Sequence, residues 1–163
     1  LPLSDELKAF VAVSLSGGCR VTEVLSLRRS DVNLTAKEST IKVLKKKDEK
    51  FSWQTGKKLK VNKVYRTFPL HNVAIKYLAI VLQGKKHFER IFSLTRNEVW
   101  KKLSLIFGGH FCPHSLRHSH ISERLHKRSE PIARVADVMK IDFGTVNSYN
   151  HINPKKANEG YWD

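Results

Sequence analysis

One stretch of this chain breaks an otherwise helical pattern, and it narrows the folds open to the whole. Between Thr40 and Phe68 the apolar residues are strand formers: Thr40, Ile41 and Val43, then Phe51 and Trp53, then Val61, Val64, Tyr65, Thr67 and Phe68. β-Branched and aromatic side chains in short runs suit a pleated, half-buried surface. From Lys42 to Arg66 the same stretch carries ten lysines and arginines, opposed only by Asp48 and Glu49. A basic run alone is as often a solvated loop. Interleaved with strand formers, it reads as a small antiparallel sheet with basic edges.

Around that insertion the spacing is helical. Ser4 or Asp5 caps a first helix through about Leu15, with Leu7, Phe10, Val11 and Leu15 on one side and a break at Gly17-Gly18. A second helix covers about Val21 to Leu27. After the sheet, Val73, Ala74, Tyr77, Leu78, Val81 and Leu82 mark an amphipathic helix ended by Gly84. Thr95 caps another, bearing Val99, Leu103, Ile106 and Phe107. Pro113 precedes a helix from about Ser115 to Leu125. Pro131 starts the next, with Ile132, Val135, Ala136 and Met139 on its buried side, and Gly144 and Thr145 open a last short helix holding Tyr149. The expected fold class is mainly α with a small antiparallel β-sheet, and 163 residues without a linker read as one domain.

Thirty Lys and Arg against fifteen Asp and Glu leave a formal charge of +15. Such an excess points to a polyanion, most commonly nucleic acid. No run approaches the ~20 apolar residues of a membrane span, so no membrane partner is expected. The segment Leu1 to Glu6 does not read as a signal peptide, and a chain starting at Leu1 reads as a piece of a longer protein. Cys19 and Cys112 make no disulfide framework, which fits a reducing, cytoplasmic setting.

Three boxes carry candidate chemistry. The first runs from Gly18 through Arg20 and Glu23 to Leu27, followed by Asp31-Val32. The second is His114-Ser115-Leu116-Arg117-His118-Ser119, and the third is Thr145 to His151 around Tyr149. Singly, each has a plain reading: Arg20 and Glu23 as an i, i+3 ion pair, His114 as a cap, Arg117 as a surface charge, Tyr149 as a core aromatic. His110, Cys112, His114, His118 and His120 crowd together, but the spacing matches no usual zinc pattern, and no metal site is expected.

Taken together, in this order on a basic chain, the boxes resemble the catalytic domain of the tyrosine recombinases. That family includes phage and transposon integrases and the enzymes that resolve bacterial chromosome dimers. The first box resembles its Gly-x-Arg-x-x-Glu pattern, the second its His-x-Leu-Arg-His box, and the third its nucleophile box, with Tyr149 followed two residues later by His151. Arg117 follows Arg20 by 97 residues and Tyr149 follows Arg117 by 32, separations that suit the family.

The resemblance implies strand cleavage and rejoining without metal or cofactor. Arg20 and Arg117 would clamp the scissile phosphate, for which a planar, always-charged guanidinium is suited. Tyr149 would attack it, leaving a 3′-phosphotyrosyl link and a free 5′-hydroxyl. A phenol with a pKa of about 10 needs help at neutral pH, and His114, one turn before Arg117, could assist. In the family a hairpin lysine protonates the leaving oxygen. Lys60 is the first choice here, followed by Lys58 and then Lys63, with Lys45 and Lys46 as further phosphate contacts and His118 beside the site. The family places His or Trp nine residues before the nucleophile, after a glycine; here Met139-Lys140 stands there, so Lys140 is the sixth catalytic candidate. Glu23 is expected to hold the arginine box and the hairpin in place.

The resemblance further implies double-stranded DNA as partner, a homo-tetramer on DNA and association with the nucleoid. It implies that residues 1–163 are the catalytic domain alone, without the family's N-terminal DNA-binding domain. Two rival readings stay open: a catalytically degenerate DNA-binding module, which Lys140 and the missing glycine favour, and a type IB topoisomerase-like relaxing enzyme.

Overall fold

The computed structural model describes residues 3–35, 38–45, 64–109 and 111–149. Its first helix, α1 (Asp5–Gly17), starts where Ser4 Oγ accepts the Leu7 amide at 3.3 Å, with Asp5 and Glu6 at the positive end of the helix dipole. It ends at Gly18, whose left-handed backbone (φ 58°, ψ 38°) turns the chain into α2 (Val21–Leu25). The buried stripe of α1 is Leu7, Phe10, Val13, Ser14 and Gly17. Leu15, expected inside, is exposed, because it follows Leu7 by eight residues and Phe10 by five, a phase that turns it off the stripe they define.

The sheet has three antiparallel strands in the order β1 (Val32–Asn33), β2 (Thr40–Lys45), β3 (Val64–Pro69). Ile41 pairs with both Val32 and Phe68, and Val43 pairs with Arg66. Strand alternation therefore turns Val32, Ile41, Val43, Arg66 and Phe68 toward the interior. On the other face the Lys42 ammonium lies 4.4 Å from the centre of the Tyr65 ring. The two-residue β1 is too short to register as periodicity. Phe51, Trp53 and Val61, read as strand formers, lie outside the described residues, as do Lys46, Lys58, Lys60 and Lys63.

Four longer helices and one short one follow: α3 (Asn72–Val81), α4 (Arg96–Phe107), α5 (His114–Ser122), α6 (Ile132–Met139) and α7 (Phe143–Ser148). Thr95 caps α4 as expected, accepting from the Glu98 amide at 3.2 Å while Glu98 accepts from the Thr95 amide. Only Val99 and Leu103 of α4 are buried; Ile106 and Phe107 stay exposed, since the helix outruns the core it rests on. Beyond α5 the helix widens into a π turn over Glu123–Lys127, where the Arg128 amide donates to the Glu123 carbonyl at 3.0 Å. Among the described residues no helix is long and apolar enough to cross a membrane.

Buried side chains form two clusters. The larger one takes in α1, α2, the sheet, α3, α4 and Leu116 at the start of α5. The smaller one comprises Ile121, Leu125, Val135, Ala136, Met139, Val146 and Tyr149. Helix α5 is the shared wall, with Leu116 facing one cluster and Ile121 the other.

The tightest contact across the first cluster is Gly17 against the Phe68 ring, where a Cβ would overlap the ring carbons. We expect Gly17→Ala to lose about 1–3 kcal/mol in urea unfolding, the usual range for overpacking. Gly109→Ala, with open space around its Cβ position, is the control and should move the midpoint little.

Candidate functional site

The site lies on the seam between the two clusters. Arg117, on α5, is buried at 4% exposure, and its Nη1 donates to the Gly18 carbonyl at 2.8 Å. That carbonyl is presented because Gly18 has just ended α1 in a left-handed turn. A side chain at Gly18 would also run into the His120 ring and the Met139 methyl, each 2.6 Å from the Cβ position. The bond brings the first and second boxes together. Arg20, two residues on, begins α2: its amide donates to Glu23 Oε2 at 2.8 Å, and its half-exposed guanidinium stands 3.9 Å from Glu23 Oε1. Glu23 thus holds the arginine box in place, as expected.

Pro113 sets the start of α5, with the Ser115 hydroxyl accepting from the Cys112 amide at 3.4 Å. His114, Arg117 and His118 then share one face at i, i+3 and i+4. The His114 and His118 rings meet edge to face at 4.7 Å, and His118 packs on the Tyr149 ring at 4.8 Å. Tyr149 follows α7, which Asp142 caps by accepting the Thr145 amide at 3.0 Å. Its ring is buried in the smaller cluster, and its carbonyl lies 3.3 Å from His126 Nε2, on the π turn.

The electrostatics follow from burial beside fixed cations. His114 has its pKa lowered by burial, then by His118, Arg117 and Arg20; His118 is lowered by burial and Arg117. Both imidazoles are therefore neutral near pH 7. Burial raises the Tyr149 hydroxyl, and the Arg117 charge partly offsets it. Arg117 is itself lowered by burial while Glu23 supports its charge. The arrangement offers a polar anion two guanidinium groups, a neutral imidazole and a phenol at one place.

Of the residues singled out from sequence, the structure brings together Arg20, His114, Arg117, His118 and Tyr149. Lys140 ends α6, and its ammonium is 2.6 Å from Asp137 Oδ1. Lys45 ends β2 opposite Val64.

The sequence profile of the phage integrase family matches residues 2–156. The chain belongs to the phage integrase family. No curated protein sequence matches it. Among solved structures it is similar to XerH site-specific recombinase bound to palindromic difH substrate in a post-cleavage complex, with a TM-score of 0.69 at 19% identity over 99% of this chain and 47% of that one. It is similar to XerA recombinase, with a TM-score of 0.67 at 20% identity over 97% of this chain and 56% of that one. It is also similar to the integrase from mycobacterium phage Brujita, with a TM-score of 0.58 at 20% identity over 90% of this chain and 47% of that one. This integrase-family chain thus spans about half the length of the solved proteins it matches, and at these identities the likeness speaks for the fold.

Three contributions to the site are not legible in the sequence. Gly18, which opens the first box and breaks the first helix, also presents the carbonyl that carries Arg117. His126 sits in a π turn that apolar spacing does not signal. Arg66 counts in the sequence as one of ten basic residues, and its inward direction follows only from the sheet register.

His120, one turn after Arg117, gives a pH test of the packing. Its Nδ1 lies 2.6 Å from the Leu15 carbonyl, so Nδ1 carries the proton and donates. Burial pushes its pKa down to about 4, with the Leu15 bond opposing and Arg124, Arg66 and Arg128 adding. The unfolded chain takes up this proton near pH 6.5, the folded one only near 4, so folding stability is full above 6.5 and falls as pH drops between these values. We expect a loss of about 2–3 kcal/mol from pH 7.5 to 4.5 in urea titrations. His120→Asn should flatten that slope; an unchanged slope would trace it to His114 and His118 instead.

Proposed function

We propose that this chain is the catalytic domain of a site-specific DNA recombinase or integrase, cleaving and rejoining strands without metal through a 3′-phosphotyrosyl intermediate. The observation that supports it most is the convergence of Arg20, Arg117 and His114 with the buried Tyr149 across the seam, on a chain of charge +15. XerH recombinase is bound to a palindromic difH substrate in its post-cleavage complex, and double-stranded DNA is the substrate proposed here.

The roles follow from the chemistry of each group. Arg20 and Arg117 bind the non-bridging oxygens of the scissile phosphate and stabilise the charge that grows in the transition state. Arg117 reaches it from a fixed position, because its Gly18 bond and burial remove most of its rotamer freedom. Tyr149 Oη attacks phosphorus, the bond to the 5′-oxygen breaks, and the phosphotyrosyl ester stores the bond energy for the reverse step on a second strand. Neutral His114 can accept the phenolic proton or donate a hydrogen bond to a phosphate oxygen. Lys60, with Lys58 and Lys63 behind it, is proposed to protonate the leaving 5′-oxygen, and a tetramer on DNA is the proposed assembly. Lys45 and Lys46 are proposed as phosphate contacts, His118 as a support for the Tyr149 ring and Lys140 as a further donor to phosphate. The pair between Lys140 and Asp137, together with the missing glycine, favours a degenerate DNA-binding module.

The test is covalent capture. Wild-type protein incubated with a random-sequence pool of nicked duplexes should form adducts that survive denaturant, and Tyr149→Phe should form none while binding DNA as before. Failure of wild type to form any adduct overturns the enzyme in favour of the binding module.

On captured sequences, Arg117→Lys and Arg20→Ala should each slow adduct formation by at least ~10²-fold, the usual cost of one transition-state donor. Lys60→Ala should be slow on ordinary DNA and rescued by a 5′-bridging sulfur, whose thiolate leaves without a proton. Rescue of Lys58→Ala or Lys63→Ala instead would move the acid along the hairpin.

A further inference from the structure

The site contains a third guanidinium that the chemistry above does not use. Arg66 points inward from β3 and is buried at 6% exposure. Its Nη2 is 3.3 Å from Cys19 Sγ, its Nη1 is 3.1 Å from Met139 Sδ, and its plane lies 5.1 Å from the centre of the Phe68 ring. A buried arginine is ordinarily matched by a carboxylate, since removing its charge from water is costly. Among the described residues no carboxylate forms an ion pair with Arg66. Sulfur is a weak acceptor, and Cys19 cannot serve as a thiolate: burial pushes its pKa up to about 12.

The position of Arg66 explains why such an arrangement is kept. Cys19 lies between Gly18, whose carbonyl takes Arg117, and Arg20. Met139 is the last residue of α6 and packs in the same cluster as Tyr149. Arg66 therefore touches both halves of the site from beneath, one sulfur on each. Its charge also acts on Arg117, alongside that of Arg20, with Glu23 as the single carboxylate among the groups acting there. Three guanidinium groups against one carboxylate give the site a surplus of positive charge.

We propose that Arg66 is a positioning residue for strand cleavage. It pins the end of α6, and through it the helix carrying Tyr149, to the Gly18–Arg20 segment, and its unmatched charge is compensated when a DNA phosphate enters between Arg20 and Arg117. This rests on the recombinase reading above. The device makes the site more stable with DNA than without, so binding energy is used to bring nucleophile and clamp into register.

The experiment compares Arg66→Met and Arg66→Lys with wild type on three readouts. Methionine keeps an unbranched apolar stem as far as the position of Nε, without the guanidinium or its charge. Its thermal midpoint without DNA should equal or exceed that of wild type, because an uncompensated buried charge has been removed. Its midpoint should rise less than wild type's on adding a random-sequence duplex. Its adduct formation at saturating captured substrate should fall roughly tenfold or more. Arg66→Lys keeps a charge without the two-pronged contact, so it should recover the DNA-induced rise but not the rate. A purely structural role predicts the opposite pairing, with Arg66→Met losing stability and rate together, and that result would overturn the proposal. So would adduct formation by Arg66→Met at the wild-type rate. If wild type itself forms no adduct, the recombinase reading fails, and an equal DNA-induced rise in wild type and Arg66→Met overturns the charge compensation separately.

Discussion

The hydrogen bond from Arg117 to the Gly18 carbonyl is the constraint on which the site depends. It crosses from α5 to the turn after α1 and is made by a side chain that has lost nearly all contact with solvent. A buried guanidinium left without acceptors would be strongly destabilising, so the turn at Gly18 and the position of α5 are mutually required. Gly18 meets that requirement in two ways. Its left-handed backbone aims the carbonyl, and its missing side chain leaves room for His120 and Met139. Arg20 then falls at the start of α2 without further adjustment, and Glu23 closes the turn from the other side.

The same bond explains why the α6–α7 pair that holds Tyr149 is not a separate unit. The smaller cluster is held to the rest through α5, whose two faces serve the two clusters, and through the residues packed around Gly18. Burial beside cations then sets the protonation states. The histidines nearest Arg117 are held neutral and the tyrosine is held protonated, so the empty site keeps its positive charge on guanidinium groups alone. These are the groups that do not lose charge at any working pH, and an anion meets the same site across the physiological range.

Much of this was legible in the sequence, unevenly and for physical reasons. Helix positions followed from spacing and caps: Ser4 and Thr95 begin the helices they were assigned, and Asp142, rather than Gly144, begins the last. The sheet was legible as composition, through Ile41, Val43 and Phe68, but the direction of Arg66 was not. Alternation can be counted only once the register with Val43 is known. Helix ends were the weakest part. Ile106 and Phe107 continue an apolar pattern past the point where the neighbouring elements stop, and only packing reveals that they face water. Arg20, His114, Arg117 and Tyr149 were singled out through the resemblance of their three boxes to the tyrosine recombinase motifs. Gly18 and His126 take part through a backbone carbonyl and a π turn, which leave little trace in residue type.

Lys140 shows how a departure from a pattern acquires a physical reading. The sequence offered a lysine in place of an aromatic or imidazole group and no glycine before it. In the structure α6 stops by a two-bond motif: the Ile141 amide donates to the Ala136 carbonyl at 3.0 Å and the Lys140 amide to the Asp137 carbonyl at 3.1 Å. Lys140 occupies the left-handed position of that motif (φ 50°, ψ 47°), where glycine is the usual choice. A residue with a Cβ pays about 1–2 kcal/mol there, and the capping bonds together with the partly buried Ile141 offset it. The lysine's first task is therefore to end the helix so that α7 can carry Tyr149 back to the seam. Its ion pair with Asp137 is exposed on both sides and worth little. What decides whether the ammonium can serve a phosphate is the reach of its side chain from a turn whose direction is set by the helix it ends.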